Sequence, residues 1–284
     1  MDTEKQTNTD VEKRRCRISG KTVFVIVWLV LLAAVLAAII IAGPGGGEKE
    51  DIAEVMKDGV LHENDRVNLF GLLVSPAVIS AFTVTGMLLT AALLIRIFAV
   101  PKMKTVPGGS FQSVLEKAVE FVDGMAKGCA PRFRFAAGAF LFSAGAYVAF
   151  GTLFELFGLQ VVSAEGKSVT MPAPIADING AIAVGVTSFV FILAMGIAAG
   201  GAKGGLKVMK DFSLPISMSF RLYGALLSGL LVTELVYHYT ATSFVLPIAV
   251  AVLFTLLHAV IQTYVLTTLV SIFCAEATEP ANHK

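Results

Sequence analysis

Arg221 is the residue whose position asks most of its surroundings. It stands in Ser219-Phe220-Arg221-Leu222-Tyr223-Gly224, with mostly apolar residues for three turns beyond it. A guanidinium at bilayer depth costs about 3 kcal/mol on insertion scales and more than ~10 kcal/mol in simulations. Two readings stand. Its stem can snorkel to the near interface from a helix starting around Pro215, or it is a fixed positive charge beside an ion path. Ser217, Gly224, Ala225 and Ser228 share its helical face within two turns, which lets another backbone approach closely and favours the second. A bare cation among small residues suits a carboxylate that moves past it. No acid in the chain is an obvious permanent partner, so the counter-ion is expected on another protein.

A second polar set lies near the C-terminal end. Thr255, His258 and Gln262 fall at i, i+3 and i+7, one face of an otherwise apolar run. A single histidine on such a face is ordinarily a satisfied structural residue. Three polar groups in one stripe point instead to a hydrated path, and a histidine titrating near neutrality suits proton relay. Glu234, Glu155 and Asp177 are the other acids at or near membrane depth. Glu155 and Asp177 fall toward the outer ends of their helices, where an interfacial role competes with a functional one. Cys16, Cys129 and Cys274 are too far apart to form a disulfide framework or a metal cluster. The sequence has no GxxxxGK[ST], HExxH or GxSxG, so nucleotide or ester hydrolysis by this chain is not expected, nor is any cofactor or metal.

The elements that must position these residues follow from composition. Of 284 residues, 56% are hydrophobic and 15% charged, with mean hydropathy +0.78. Soluble domains carry roughly 25% charged residues, so lipid is the solvent for most of this chain. A net charge of +1 gives no field for nucleic acid. Six uncharged or nearly uncharged runs can each supply the roughly 20 residues of a membrane helix. They are 23–42, 67–95, 135–154, 178–202, 212–233 with Arg221 inside, and 245–275 with His258 inside. The first run shares the basic start of a secretory signal, but it is longer than an h-region and lacks a clear cleavage site. Lys and Arg set the orientation. The tail 1–22, the stretch from Arg96 to Arg134, the Lys203/Lys207/Lys210 connection and Lys284 fall on one side, predicted cytoplasmic. Lys49, Lys57, Arg66 and Lys167 fall on the other. Both termini are therefore expected inside. The expected domains are a basic tail (1–22), a first membrane helix (23–43), an outer acidic loop (44–66), a membrane domain (67–278) and a short cytoplasmic tail (279–284).

Between Ser110 and Lys127, Phe111, Val114, Leu115, Ala118, Phe121, Val122 and Met125 form one helical stripe. That pattern predicts an amphipathic helix at the cytoplasmic interface, either a surface brace or a docking surface. The final run, at about 1.5 Å per residue, is too long for a hydrocarbon core of roughly 30 Å unless it tilts. The expected fold is all-α: a polytopic membrane protein of about six membrane helices plus the amphipathic helix, its last two helices a long tilted hairpin.

Four motifs, in order, carry a resemblance. Ser217-Met-Ser219-Phe-Arg221-Leu222-Tyr223-Gly224-Ala225-Leu-Leu-Ser228-Gly229 resembles the arginine motif of subunit a of F-type ATP synthases. Ile261-Gln262-Thr263-Tyr264-Val265-Leu266 is similar to that family's last-helix glutamine motif. Pro174-Ile175-Ala176-Asp177-Ile178-Asn179 resembles its Pro-Thr-Ala-Asp-x-Asn signature. Val106-Pro107-Gly108, Phe111-Gln112, Glu116 and Phe121-Val122 match its cytoplasmic amphipathic helix. The resemblance covers roughly 70–278. It implies a stator in a bacterial plasma membrane, beside a rotating ring of small carboxylate-bearing hairpins (subunit c), with peripheral-stalk subunit b and, indirectly, the catalytic head as partners. It implies two offset half-channels for H⁺ or Na⁺, with Arg221 separating them and Gln262 near it. The candidate site residues, from the polar groups at membrane depth and the resemblance together, are Arg221, Gln262, His258, Glu234, Glu155, Asp177, Asn179, Thr255, Ser217 and Ser228. Departures are Ala225 where the family has Asn, Leu230 where it has an acid, and Thr255 where it often has an ionisable group; Glu234 and His258 each lie one turn from those last two positions. The stretch between Ala202 and Pro215 is short for the extra helix usual before the arginine helix. A secondary transporter binding an anion at Arg221, and a scaffold, are the competing readings; no second copy of the arginine segment supports the transporter.

Overall fold

The computed structural model describes residues 67–69, 72–103, 109–162, 168–238 and 246–279; the expected first membrane helix and the acidic outer loop lie outside them. The chain divides into two units, 1–49 with 236–248 and 50–235 with 249–284. The bundle belongs to the second.

Strands β1 (Val67–Leu69) and β2 (Leu72–Val74) pair antiparallel, with Asn68 opposite Leu73. Helix α1 (Pro76–Leu94) begins only at Pro76. The uncharged run 67–95 was therefore not one helix. A hairpin occupies its first part, and the fixed φ of Pro76 opens the helix at N1. Thr83, Thr85 and Thr90 on α1 each donate to the carbonyl four residues back, which satisfies their hydroxyls without a partner in lipid. A π-turn (Ile95–Ala99) and a 3-10 turn (Val100–Lys102) end this helix at Pro101, which cannot continue it.

Helix α2 (Ser110–Cys129) covers the stretch whose apolar stripe predicts an amphipathic helix. Its leading apolar residues Phe111, Val114 and Phe121 are exposed, while Val122, Met125, Ala126 and Cys129 pack into the bundle. A 3-10 turn (Pro131–Phe133) leads to α3 (Arg134–Phe154). The α2–α3 corner is closed by Arg134, whose Nε and a terminal nitrogen donate to the two carboxylate oxygens of Asp123, and by Lys127, 3.0 Å from the same carboxylate. Beyond α3, Gly158 takes the left-handed conformation that stops a helix. Strands β3 (Gln160–Val162) and β4 (Ser168–Thr170) then form a second hairpin, with Val161 opposite Val169.

Helix α4 (Ile178–Met209) is apolar enough to be one long span, yet it turns back on itself. Gly201 has φ 61° and ψ −146°, a backbone region essentially closed to other residues. A β-carbon on Gly204 would lie 2.1 Å from the carbonyl oxygen of Gly196, and one on Gly205 would meet Ile197 at 2.8 Å. Residues eight apart on a straight helix are about 12 Å apart, so the segment after Gly201 lies folded against 193–197. The short stretch after Ala202 thus contains a brief returning helix, which the even hydropathy of 178–209 conceals.

Helices α5 (Ser213–His238) and α6 (Leu246–Thr278) complete the bundle. Small residues let the helices meet: Gly145 of α3 against Thr263 and Thr267, Gly185 of α4 against Pro215 and Ser219, and Gly196 against Ala277. Phe140 of α3 stacks on Phe191 of α4 with ring centroids 4.0 Å apart. The core includes Leu141, Val148, Ile192, Met218, Leu222, Leu266 and Val270. Among the described residues five helices are long and apolar enough to cross a membrane: Pro76–Lys102, Pro131–Phe157, Ile178–Met209, Ser213–Val232 and Val252–Thr278. Their outward faces carry large apolar side chains, Phe82 and Phe135 at 76% and 91% exposed among them.

Candidate functional site

Helix α5 has two faces. Pro215, Met218, Ser219, Leu222 and Leu226 are buried against the bundle, whereas Ser217, Phe220, Arg221, Gly224 and Ser228 are exposed. The seam is fixed at Gly185, whose missing side chain makes room for Ser219: a β-carbon there would lie 2.3 Å from Ser219 Oγ and 2.8 Å from the Pro215 carbonyl. Arg221 therefore projects from a helix held on its opposite side, among small residues. No carboxylate pairs with it among the described residues. Ser228 Oγ donates to the Ala225 carbonyl at 2.8 Å, which leaves the exposed strip smooth.

On α6 the buried face runs through Thr255, Ala259, Gln262, Leu266, Val270 and Cys274, and Leu253, Leu257, Val260 and Tyr264 are exposed. A β-carbon on Gly229 of α5 would stand 3.9 Å from Phe254 of α6. Arg221 precedes Gly229 by as many residues as Gln262 follows Phe254, so in an antiparallel pair with equal rise the two stand at one level. They make no hydrogen bond, since Gln262 faces into the bundle and Arg221 faces out. The same register brings His258 level with Ala225. His258 Nδ1 lies 2.7 Å from the Phe254 carbonyl and the two rings stack. A carbonyl only accepts, so Nδ1 is the donor of that bond. Glu234 falls farther along α5.

Two hydroxyls that the sequence did not single out, Thr263 and Thr268, lie on the same helix as Gln262. Gln262 Oε1, Thr263 Oγ1 and Thr268 Oγ1 are buried with no hydrogen-bond partner among the described residues. Such atoms cost about 1–3 kcal/mol each unless water or another polar group reaches them. A tally of Thr and Gln along 255–268 is the signal that would have found them.

A second cluster forms at the end of the bundle where α3 finishes and α4 starts. Asp177 caps α4: its Oδ1 accepts from the Asn179 backbone N–H at 2.8 Å and from Asn179 Nδ2 at 3.0 Å. Its Oδ2 accepts from Ser75 Oγ at 2.9 Å, so the hydroxyl beside Pro76 serves α4 and not its own helix. Gly180 lets the Pro174 carbonyl come to where a β-carbon would stand, 2.0 Å away, and Gly151 of α3 meets the Pro174 ring. Glu155 begins the turn that ends α3, next to buried Phe154. Ser75, Glu155, Asp177 and Asn179 thus gather around the ends of α1, α3 and α4. The Ser75-Pro76 pair is a helix-start signal that could have pointed to Ser75; nothing in one dimension names its partner.

The fold and these sites define a multi-pass, all-α membrane protein with a cation on one exposed helix face that is unpaired among the described residues. Residues 79–275 match the family described as ATP synthase A chain. The match spans well over half of the chain and contains every site residue above except Ser75, and the chain belongs to that family. It is a membrane-sector subunit of an ATP synthase complex, a class concerned with ion transport and ATP synthesis.

Proposed function

We propose that this chain is the ion-translocating stator subunit of a rotary ATP synthase, passing H⁺ or Na⁺ through two offset half-channels to and from a carboxylate on a rotating ring. The carrying observation is Arg221, exposed and unpaired among the described residues on a face of small residues, while the other face of α5 is packed. A ring carboxylate sliding along that face meets the guanidinium, gives up its ion to the exit path and is reloaded beyond it. The fixed positive charge repels a cation moving straight between the half-channels, so passage requires rotation. An ion crossing the potential yields about 2.3 kcal/mol per 100 mV, and a leak would dissipate it.

Glu155, Asp177, Asn179, Glu234 and His258 line the outer half-channel in this reading, with Glu234 and His258 standing in for family groups displaced by one turn. Thr255, Gln262, Ser217 and Ser228 supply polar surface near the arginine. The ring of hairpin subunits c contacts the exposed face of α5–α6, and subunit b of the peripheral stalk contacts the α2 side. The membrane is a bacterial plasma membrane and both termini are cytoplasmic.

ATP-driven ion uptake by inverted vesicles tests this. Arg221→Ala should abolish uptake while the ring still copurifies; persistent coupled uptake overturns the assignment. The combined Glu234→Gln and His258→Ala variant should lose most uptake, and full uptake would remove those two residues from the path. Repeating the assay with and without sodium identifies the ion.

A further inference from the structure

On the side of the bundle that carries Lys203, Lys207 and Lys210, the seam between α5 and α6 ends in a cavity. It has a volume of about 10 Å³, and its wall includes Ile192, Lys207, Asp211, Leu214, Phe273 and Glu276. That is room for one water, which needs about two to four polar partners. The two carboxylates and the ammonium can supply them. Glu276 is exposed and Lys207 and Asp211 are half-buried, so the cavity is within reach of solvent. Lys207 Nζ donates to the Glu276 backbone carbonyl at 2.6 Å, which fastens the returning helix over the last turn of α6. Among the described residues no ion pair joins Lys207 to Asp211 or Glu276, so neither carboxylate is taken up by that amine.

The cavity and the arginine lie on one track. On α5, Leu214 precedes Arg221 by two turns and falls within about 20° of the same face. On α6, Phe273 and Glu276 follow Gln262 by three and four turns, within about 40° of its face. A rise of about 1.5 Å per residue puts the cavity about 10–20 Å from the Arg221–Gln262 level. Half a hydrocarbon core is about 15 Å, so the track runs from bilayer depth to an interface. At its deep end Gln262 Oε1 is buried without a partner among the described residues, an atom that calls for water or another polar group. The charge count makes the lysine side cytoplasmic. We infer that this cavity is the cytoplasmic mouth of the ion path, where Asp211 and Glu276 draw cations in and Lys207 holds the wall. Two carboxylates against one ammonium leave the lining net negative, which concentrates cations at the entrance. The inference rests on the stator reading above, and it adds the residues of the inner side.

The test uses the intact complex in inverted vesicles, whose outer surface is the cytoplasmic one, with the chain's three cysteines replaced by serine. Leu214→Cys should react with an impermeant cationic methanethiosulfonate added outside. ATP-driven uptake should then fall several-fold against the same vesicles before treatment. Leu206→Cys, exposed on the returning helix and outside the cavity lining, should keep its uptake after treatment. Adding Asp211→Asn and Glu276→Gln should slow the cationic reaction at Leu214→Cys roughly fivefold at low salt. The same pair should leave the rate of a neutral reagent unchanged and lose its effect at high salt. Phe273→Cys repeats the series from α6 if Leu214→Cys does not assemble. Cysteines that stay unreacted, modification that leaves uptake intact, or a cationic rate indifferent to the two acids each overturns the inference. Arg221→Ala run in parallel separates the two failures. Uptake that survives it removes the stator reading itself; uptake lost there, with indifferent mouth variants, removes the mouth alone.

Discussion

Arg221 and Asp123 are both charged, and the fold treats them in opposite ways. Asp123 is held by two cations: Arg134, then Lys127, keep its carboxyl near a pKa of about 2, below its ordinary 3.8. A lowered carboxylate pKa adds stability that is complete above 3.8 and is lost as pH falls toward 2. The melting temperatures of the wild type and Asp123→Asn should therefore differ above pH 4, and the gap should close by pH 2. It should also narrow in high salt, because the corner is open to solvent. A gap unchanged across that pH range would show that the pair does not brace α2 on α3. Arg221 has no such partner among the described residues. The sequence already made it the focus, because an uncompensated guanidinium in an apolar run is visible in one dimension. The unpartnered oxygens of Gln262, Thr263 and Thr268 were not visible, since whether a hydroxyl is satisfied depends on what packs over it.

At the scale of elements, hydropathy located the helices and said little about their direction. Uncharged runs marked α1, α3, α4, α5 and α6 because only apolar side chains tolerate lipid on their flanks. The same measure joined the 67–74 hairpin to α1, although Pro76 carried the stop, and it hid the fold-back of α4. That reversal rests on Gly201, whose φ only glycine adopts cheaply, and on Gly196 and Gly204, where two backbones touch. Gly201→Ala should cost about 1–3 kcal/mol through backbone strain. Gly204→Ala should cost a similar ~1–3 kcal/mol through overpacking against the Gly196 carbonyl. Thermal unfolding of the detergent-solubilised chain reads both. Gly200→Ala is the control and should be near neutral, because a β-carbon there meets nothing within 4 Å. Equal effects at all three positions would argue against the fold-back.

For the whole molecule, orientation is the property that charge distribution predicts and packing does not. Ser168 on the β3–β4 hairpin and Lys203 after the Gly201 corner are both exposed and lie at opposite ends of α4. In a chain lacking its own cysteines, Ser168→Cys should react with an impermeant maleimide added to intact cells, and Lys203→Cys only in inverted vesicles. The reverse pattern would invert the assigned topology. The two-faced build of α5 has a mechanical consequence. Its inner side is seated in the Gly185 notch and in the core through Met218 and Leu222, so the backbone beneath Arg221 is stiff while the guanidinium is free to swing. A sideways push on that charge would be passed to α4, on which Pro215 and Ser219 sit. The side chain would give way before the seated helix does.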